Sequence, residues 1–258
     1  MTSSVAPSRS EVADVILARL ADGTIARGTW AGRTADGRDT ACLIAVIVPG
    51  LAHDARPVGA EHLLPPWLAE LTLFVNDAPP TEAAWPALVR RYAEALRASD
   101  VLTPEAWRRL DYRCRRAALV DALACAGPAK QVVERSIALC DRTIAGDPPT
   151  PEECRAARIA ARAAVVSGAS EAAARAAEDR VRSALEVCCC AADAAATAAG
   201  KRAVNRVDDC EARGFRYGFN DAGFAAWKQE VSAAGDRIFG SILDAWECEI
   251  RAATGGGQ

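Results

Sequence analysis

The residues best suited to acid–base or metal chemistry lie in one proline-rich stretch. They are His53, Asp54, Glu61 and His62, and they include both histidines of the chain. Imidazole and carboxylate groups bind metals and transfer protons, but this spacing matches no standard ligand pattern. We interpret the four as surface polar residues and expect neither a metal nor a cofactor. A metal or enzyme site in residues 49–80 remains the alternative.

A second chemically distinctive group is basic and lies between residues 108 and 116. It consists of Arg108, Arg109, Arg113, Arg115 and Arg116. On a helix, Arg109, Arg113 and Arg116 share a face, and guanidinium groups suit phosphate or carboxylate. This face could bind nucleic acid or an acidic protein. The net charge of -3 argues against nucleic acid as a partner, and we favour a solvated helix face supported by neighbouring acidic residues.

A glycine-rich aromatic segment follows residue 213. Its rings are Phe215, Tyr217 and Phe219, with Gly214 and Gly218 between and beside them. Glycine permits positive φ, so the segment predicts a turn whose rings cover helix ends. A partner-binding loop is the alternative.

Other chemical signatures are missing from the sequence. It contains ten cysteines but no C-x-x-C pair, which indicates thiols that pack as small apolar groups. It has no Gly-rich phosphate loop, no G-x-S-x-G and no H-E-x-x-H. We assign no catalytic residue and favour a non-enzymatic protein.

The elements that position these groups are predicted to be helices. Ser8 and Glu11 form a capping box for a first helix that stops at Gly23. Asp36-Gly37 favours a tight turn, so a short β-hairpin is a candidate near residues 24–38. Residues 42–48 are continuously apolar, which periodicity alone cannot assign, and we favour a helix there.

Further helix starts are marked by proline and threonine. They are Pro86 (or Thr81, one turn earlier), Thr103-Pro104, and the capping box of Thr150, Pro151 and Glu153. The fold class is therefore all-α, a multi-helix bundle or irregular helical array. We predict an N-terminal region, 1–150, with a proline-rich loop at 49–66. An alanine-rich region, 151–252, packs with it as one unit, and 253–258 form a disordered tail.

The alanine-rich region carries a seam of small residues at alternating spacings of three and four. It runs through Ala174, Ala177, Val181, Leu185, Cys188, Ala192, Ala195 and Ala199. Such a seam lets helices approach closely but buries little apolar area. It therefore favours several neighbouring helices or a second copy of the chain.

The N-terminal block resembles that of a loose group of uncharacterised bacterial and phage proteins with Ala-rich C-terminal helices. The likeness rests on the run D-G-T-I-A-R-G-T-W at residues 22–30, on Gly37-Arg38, and on Pro66-Trp67. The resemblance implies a bacterial cytoplasm or a mobile element, and it supplies no catalytic residues.

These observations lead to one preferred hypothesis. We expect a helical interaction or accessory protein that self-associates or binds a protein partner through small-residue helix faces. No apolar segment approaches a membrane span, so we expect a cytoplasmic protein with no membrane partner.

Overall fold

The structure is a computed structural model. It describes residues 7–26, 31–48, 62–69, 72, 81–123, 130–166 and 221–255. Its helices are α1 (Arg9–Ala21), α2 (Leu43–Ile47), α3 (Trp85–Ala98), α4 (Pro104–Leu123), α5 (Lys130–Ile144), α6 (Pro151–Val166) and α7 (Asp221–Ala253). A 3-10 turn covers Ser99–Val101, and two short strands are β1 (Ala31–Arg33) and β2 (Asp39–Ala41). The prediction of an all-α fold with a short hairpin is confirmed.

The chain divides into two compact units. The first comprises Met1–Cys114 and Asp236–Gln258, and the second comprises Arg115–Gly235. In sequence, the second unit is therefore an insertion between the two parts of the first. The predicted division into 1–150 and 151–252 stays a prediction.

Helix α1 begins and ends where its capping residues predict. The Ser8 amide donates to the Glu11 carboxylate at 2.7 Å, and the Glu11 amide donates to the Ser8 hydroxyl at 3.2 Å. These bonds satisfy amides that the first turn leaves without partners, and the Ser8 amide is the main cause of a lowered Glu11 pKa. At the other end, Gly23 has φ 66°. The helix packs its buried face, with Val12 and Ile16, along α3.

The hairpin extends slightly further than predicted. Strands β1 and β2 are antiparallel and join through a turn in which Gly37 has φ 85°. Residues 24–26 do not form the first strand, because they lie on the other side of β2. There the Ala41 amide donates to the Thr24 carbonyl at 3.1 Å, and the Ala26 amide donates to the Ala41 carbonyl at 2.8 Å.

Residues 43–47 form the helix that we favoured over a strand. Leu43, Ile44, Val46 and Ile47 of α2 are all buried. Burial on nearly every side explains the continuous apolar run, which lacks the alternation of a surface helix.

Helices α3 and α4 begin at their predicted signals. Trp85 is the first residue of α3, and its amide bonds the Thr81 carbonyl at 3.0 Å, so a hydrogen-bonded turn precedes the helix. Thr103 caps α4 through a bond from the Ala106 amide to its hydroxyl. No helix in the described ranges is long and apolar enough to cross a bilayer.

In the second unit, α5 packs on α6. Gly146, at φ 89°, follows the end of α5 and lies in the loop that connects it to α6. The predicted capping box opens α6: the Thr150 amide donates to Glu153 at 2.8 Å, and the Glu153 amide donates to the Thr150 hydroxyl at 3.2 Å. Arg142 then joins the two helices through Glu153 at 2.7 Å.

Candidate functional site

The predicted metal residues are only partly described. His62 lies in an exposed turn, whereas His53, Asp54 and Glu61 lie outside the described residues. Over the parts of the chain that are described, no three histidine, cysteine or acidic side chains come together as a metal site would require. The aromatic candidates Phe215, Tyr217 and Phe219, and the alanine seam of residues 174–199, also lie outside those parts.

The arginine face of α4 is described, and it contacts a carboxylate of the first unit. Arg109 donates from Nε and Nη2 to Glu249 Oε2 at 3.1 and 2.9 Å. Arg113 donates from Nε to Glu249 Oε1 at 2.8 Å. Both oxygens of one carboxylate are therefore held by two guanidinium groups spaced one helical turn apart.

The burial of this cluster is asymmetric. The Glu249 side chain is 2 % exposed, while those of Arg109 and Arg113 are 38 % and 36 % exposed. A buried carboxylate requires compensation by charge and hydrogen bonds, which the two arginines supply from the solvent side. The cluster keeps a net charge of one positive unit, since two guanidinium groups face one carboxylate.

The other arginines of the predicted face differ from this pair. Arg116 forms an ion pair with Asp141 within the second unit, and both side chains are exposed. Arg108 is exposed. Two carboxylates of the same chain, Glu249 and Asp141, thus bind three of the five arginines that made residues 108–116 a candidate phosphate site.

An aromatic cluster fills the core beside Glu249. Trp246 is fully buried and packs edge-on against Tyr92, with ring centroids 5.4 Å apart at 88°. The ring centroids of Trp107 and Trp246 are 5.8 Å apart, and those of Phe239 and Tyr92 are 6.1 Å apart. These rings join α3, α4 and the C-terminal part of α7 in the preferred edge and tilted geometries.

The polar atoms within this core are satisfied by one another. Trp246 Nε1 donates to Ser99 Oγ at 2.9 Å, and Ser99 Oγ donates to the Ala95 carbonyl at 2.6 Å. Thr72 Oγ1 similarly donates to the Leu68 carbonyl at 2.8 Å. Because its hydrogen is used there, the 3.0 Å contact with Tyr92 is one in which the tyrosine donates.

Burial determines the chemistry of these hydroxyls. Desolvation raises the pKa of Tyr92 well above its ordinary value, so the phenol remains a hydrogen-bond donor even where an exposed tyrosine would ionise. Ser99 is fully buried, and its hydrogen is bonded to a backbone carbonyl. Both groups therefore fix helix packing and are poorly placed to act on a substrate.

Ion pairs surround the aromatic core at the surface of the first unit. Arg9 lies 5.8 Å from the Trp107 ring centroid, and it bonds the Leu63 carbonyl at 2.7 Å and Asp100 at 2.6 Å. Arg91 bonds Glu247 at 2.8 Å and Asp244 at 2.6 Å. The hydrogen bond to Glu247 is the main cause of a raised Arg91 pKa. The two ion pairs of Arg91 fix the register of α7 against α3.

Sequence reasoning missed the partner of the arginine face. Glu249 lies 140 residues from Arg109, beyond the reach of helix spacing rules. The sequence nevertheless indicates that Glu249 lies on a buried face. It follows Ile242 and Trp246 at spacings of i, i+4 and i+7, so the glutamate continues an apolar stripe. A carboxylate in that position implies a basic partner on the facing helix.

Comparison with known proteins gives no relative from which a role could be transferred. No family model, curated protein or solved structure matches this chain. The resemblance of its N-terminal block to bacterial and phage proteins stays a prediction, and its own contacts provide the basis for a functional proposal.

Proposed function

We propose that this chain is a non-enzymatic helical interaction protein that self-associates through the small-residue face of its alanine-rich region. An accessory protein of bacterial or phage origin that works in the cytoplasm fits this role best. The observation that carries the proposal is the exposure of an isoleucine on α6, the first helix of that region.

Helix α6 presents its largest apolar side chain to solvent. Ile159 is 61 % exposed, more than any other large apolar residue that the structure describes. Ala156 and Glu152, three and seven residues earlier, are exposed on the same face. This face therefore carries one large apolar side chain together with the exposed Ala156, Arg155 and Glu152, and the opposite side carries the buried Ala157.

A single exposed isoleucine is ordinary on a protein surface. Ile159 differs in its position at the start of a region whose sequence predicts a seam of alanines. Covering one such side chain contributes about 2 kcal/mol, and a two-fold interface covers it twice. A partner face of the same composition therefore supplies association energy through its own isoleucine.

The arginine face supports this proposal over an anion-binding role. Arg109 and Arg113 are bonded to Glu249, and Arg116 is paired with Asp141. Binding a phosphate with this face would require those contacts to be shared or exchanged. The chain is also acidic overall, with a net charge of -3, so bulk attraction to nucleic acid is lacking.

The proposal is tested by sedimentation equilibrium over the micromolar range. The wild-type chain is expected to exceed its monomer mass of 27.1 kDa as concentration rises. Ile159→Glu keeps a good helix former but places a charge in the interface, so its dissociation constant should rise at least about tenfold. Circular dichroism checks that the variant keeps its helical content.

The matched control is Val15→Glu on α1. Val15 is 47 % exposed, so this variant adds the same charge to another exposed apolar position in the first unit. It should associate like the wild type. A wild-type chain that stays at the monomer mass, or equal effects of the two substitutions, would refute self-association through α6.

A further inference from the structure

Strand β1 lies at the outer side of the hairpin. Its three residues are all exposed, and within the described residues it pairs only with β2. Strand β2, by contrast, is bordered on both sides, because its Ala41 also bonds Thr24 and Ala26. Among the described residues, the two edges of this small sheet therefore differ, and β1 supplies the open one.

The register shows which backbone groups of β1 point outward. The Thr34 amide donates to the Arg38 carbonyl at 2.9 Å, so Thr34 and Arg38 form a hydrogen-bonded pair of the hairpin. Such pairs alternate with non-hydrogen-bonded pairs, which makes Gly32–Thr40 bonded and leaves Ala31–Ala41 and Arg33–Asp39 with outward groups. The bonds that Ala41 makes on the far side of β2 agree with this assignment. The N–H and C=O groups of Ala31 and Arg33 thus face away from the hairpin.

Exposed edges are commonly protected by a charge that repels an incoming strand. Here that protection is weakened, because the Arg33 guanidinium bonds Asp39 across the hairpin at 3.1 Å. The pair carries no net charge. The residue between the two outward-facing positions is glycine, which lets a second backbone approach closely.

We propose that the β1 edge pairs with the β1 edge of a second copy, antiparallel and centred on Gly32. In this register Ala31 of one copy faces Arg33 of the other, and each such pair exchanges two hydrogen bonds. Gly32 meets Gly32 in the close, non-hydrogen-bonded position, where side chains would crowd. The same residues face each other on both sides, as a two-fold interface requires. This surface uses none of the residues of α6, and the inference does not depend on the proposed role of Ile159.

The test compares Arg33→Pro with Arg33→Ala in the full-length chain. Both remove the guanidinium, but only proline removes the outward N–H, and proline is tolerated on an edge strand. Sedimentation equilibrium should show self-association of the alanine variant and of the wild type. The proline variant loses two of the intermolecular bonds, so its dissociation constant should be about tenfold or more higher.

Amide hydrogen exchange by NMR gives an independent measurement. Protection of the Ala31 and Arg33 amides should increase with concentration in the wild type. The Ala41 amide, which bonds Thr24 within the chain, should be protected equally at all concentrations. Unchanged protection of the Thr34 amide, which bonds the Arg38 carbonyl within the hairpin, shows that the hairpin still forms in Arg33→Pro.

The outcomes separate this inference from the role of α6. If the chain associates and only Ile159→Glu weakens it, the β1 edge does not take part and the inference is wrong. If only Arg33→Pro weakens it, association uses β1 and the role proposed for α6 is wrong. The inference is also overturned if the Ala31 and Arg33 amides show no protection from hydrogen exchange at any concentration.

Discussion

The ion cluster around Glu249 predicts that removing its two arginines lowers the stability of the fold more than removing its carboxylate does. Replacing both arginines, as in Arg109→Leu with Arg113→Leu, leaves a carboxylate that is 2 % exposed without its guanidinium partners. An uncompensated buried charge costs about 3–5 kcal/mol of stability. Glu249→Gln, in contrast, leaves two guanidinium groups that are more than a third exposed and can be hydrated. We expect that loss to be about 1–2 kcal/mol.

The assay is urea unfolding followed by tryptophan fluorescence. Trp246 and Trp107 are two of the six tryptophans and lie in the core cluster of the first unit, so part of the signal reports on the environment of Glu249. Replacing all three residues by leucine should recover most of the stability lost in the double arginine variant, because the buried charge is then gone.

The matched control is an exposed pair of the same unit. Asp14→Asn breaks the ion pair with Arg97, in which both side chains are exposed, and it should cost no more than about 1 kcal/mol. The reasoning fails if Glu249→Gln is as costly as the double arginine variant. It also fails if the triple variant is no more stable than the double one.

Two further predictions concern pH. Burial raises the pKa of Tyr92 above its ordinary value of 10.0, so the folded state retains a proton that the unfolded state loses, and stability should fall as pH rises above about 10. Tyr92→Phe removes the bond to Thr72, should cost about 1 kcal/mol at neutral pH, and should reduce this alkaline decline in urea unfolding. The pKa of Glu153 is lowered first by the hydrogen bond from the Thr150 amide and then by Arg142. The ionised Glu153 carboxylate therefore stabilises the folded state above pH 4.5, and this stabilisation is lost as pH falls through the lowered pKa. Glu153→Gln should therefore reduce the helical signal near neutral pH, and circular dichroism at about pH 2 should find no difference from the wild type.

Local signals in the sequence were sufficient for much of the secondary structure. The capping boxes at Ser8 and Thr150 and the positive-φ Gly23 and Gly37 depend on residues at most a few positions apart. Their partners are fixed by the geometry of one turn. The all-α fold could therefore be predicted from the sequence.

The contacts between elements could not be predicted in the same way. Thr81 bonds Asp236, and Trp246 bonds Ser99, over separations of 155 and 147 residues. Helical periodicity shows which face is apolar but not which helix it meets. The third segment beside β2 was missed for a related reason, since a single parallel bridge at Ile25 leaves no alternating pattern.

The same distinction explains why motif searches gave so little about function. In the first unit, conspicuous polar side chains such as Arg109, Glu249 and Tyr92 are bonded to other parts of the chain. The surfaces in our two proposals instead consist of an isoleucine beside alanine on α6 and of backbone groups on β1. Small apolar side chains and main-chain N–H and C=O groups can support association, but they do not form a residue pattern that identifies a partner. Association through these surfaces would therefore lack a sequence signature, and substitutions at Ile159 and Arg33 provide the direct means to detect it.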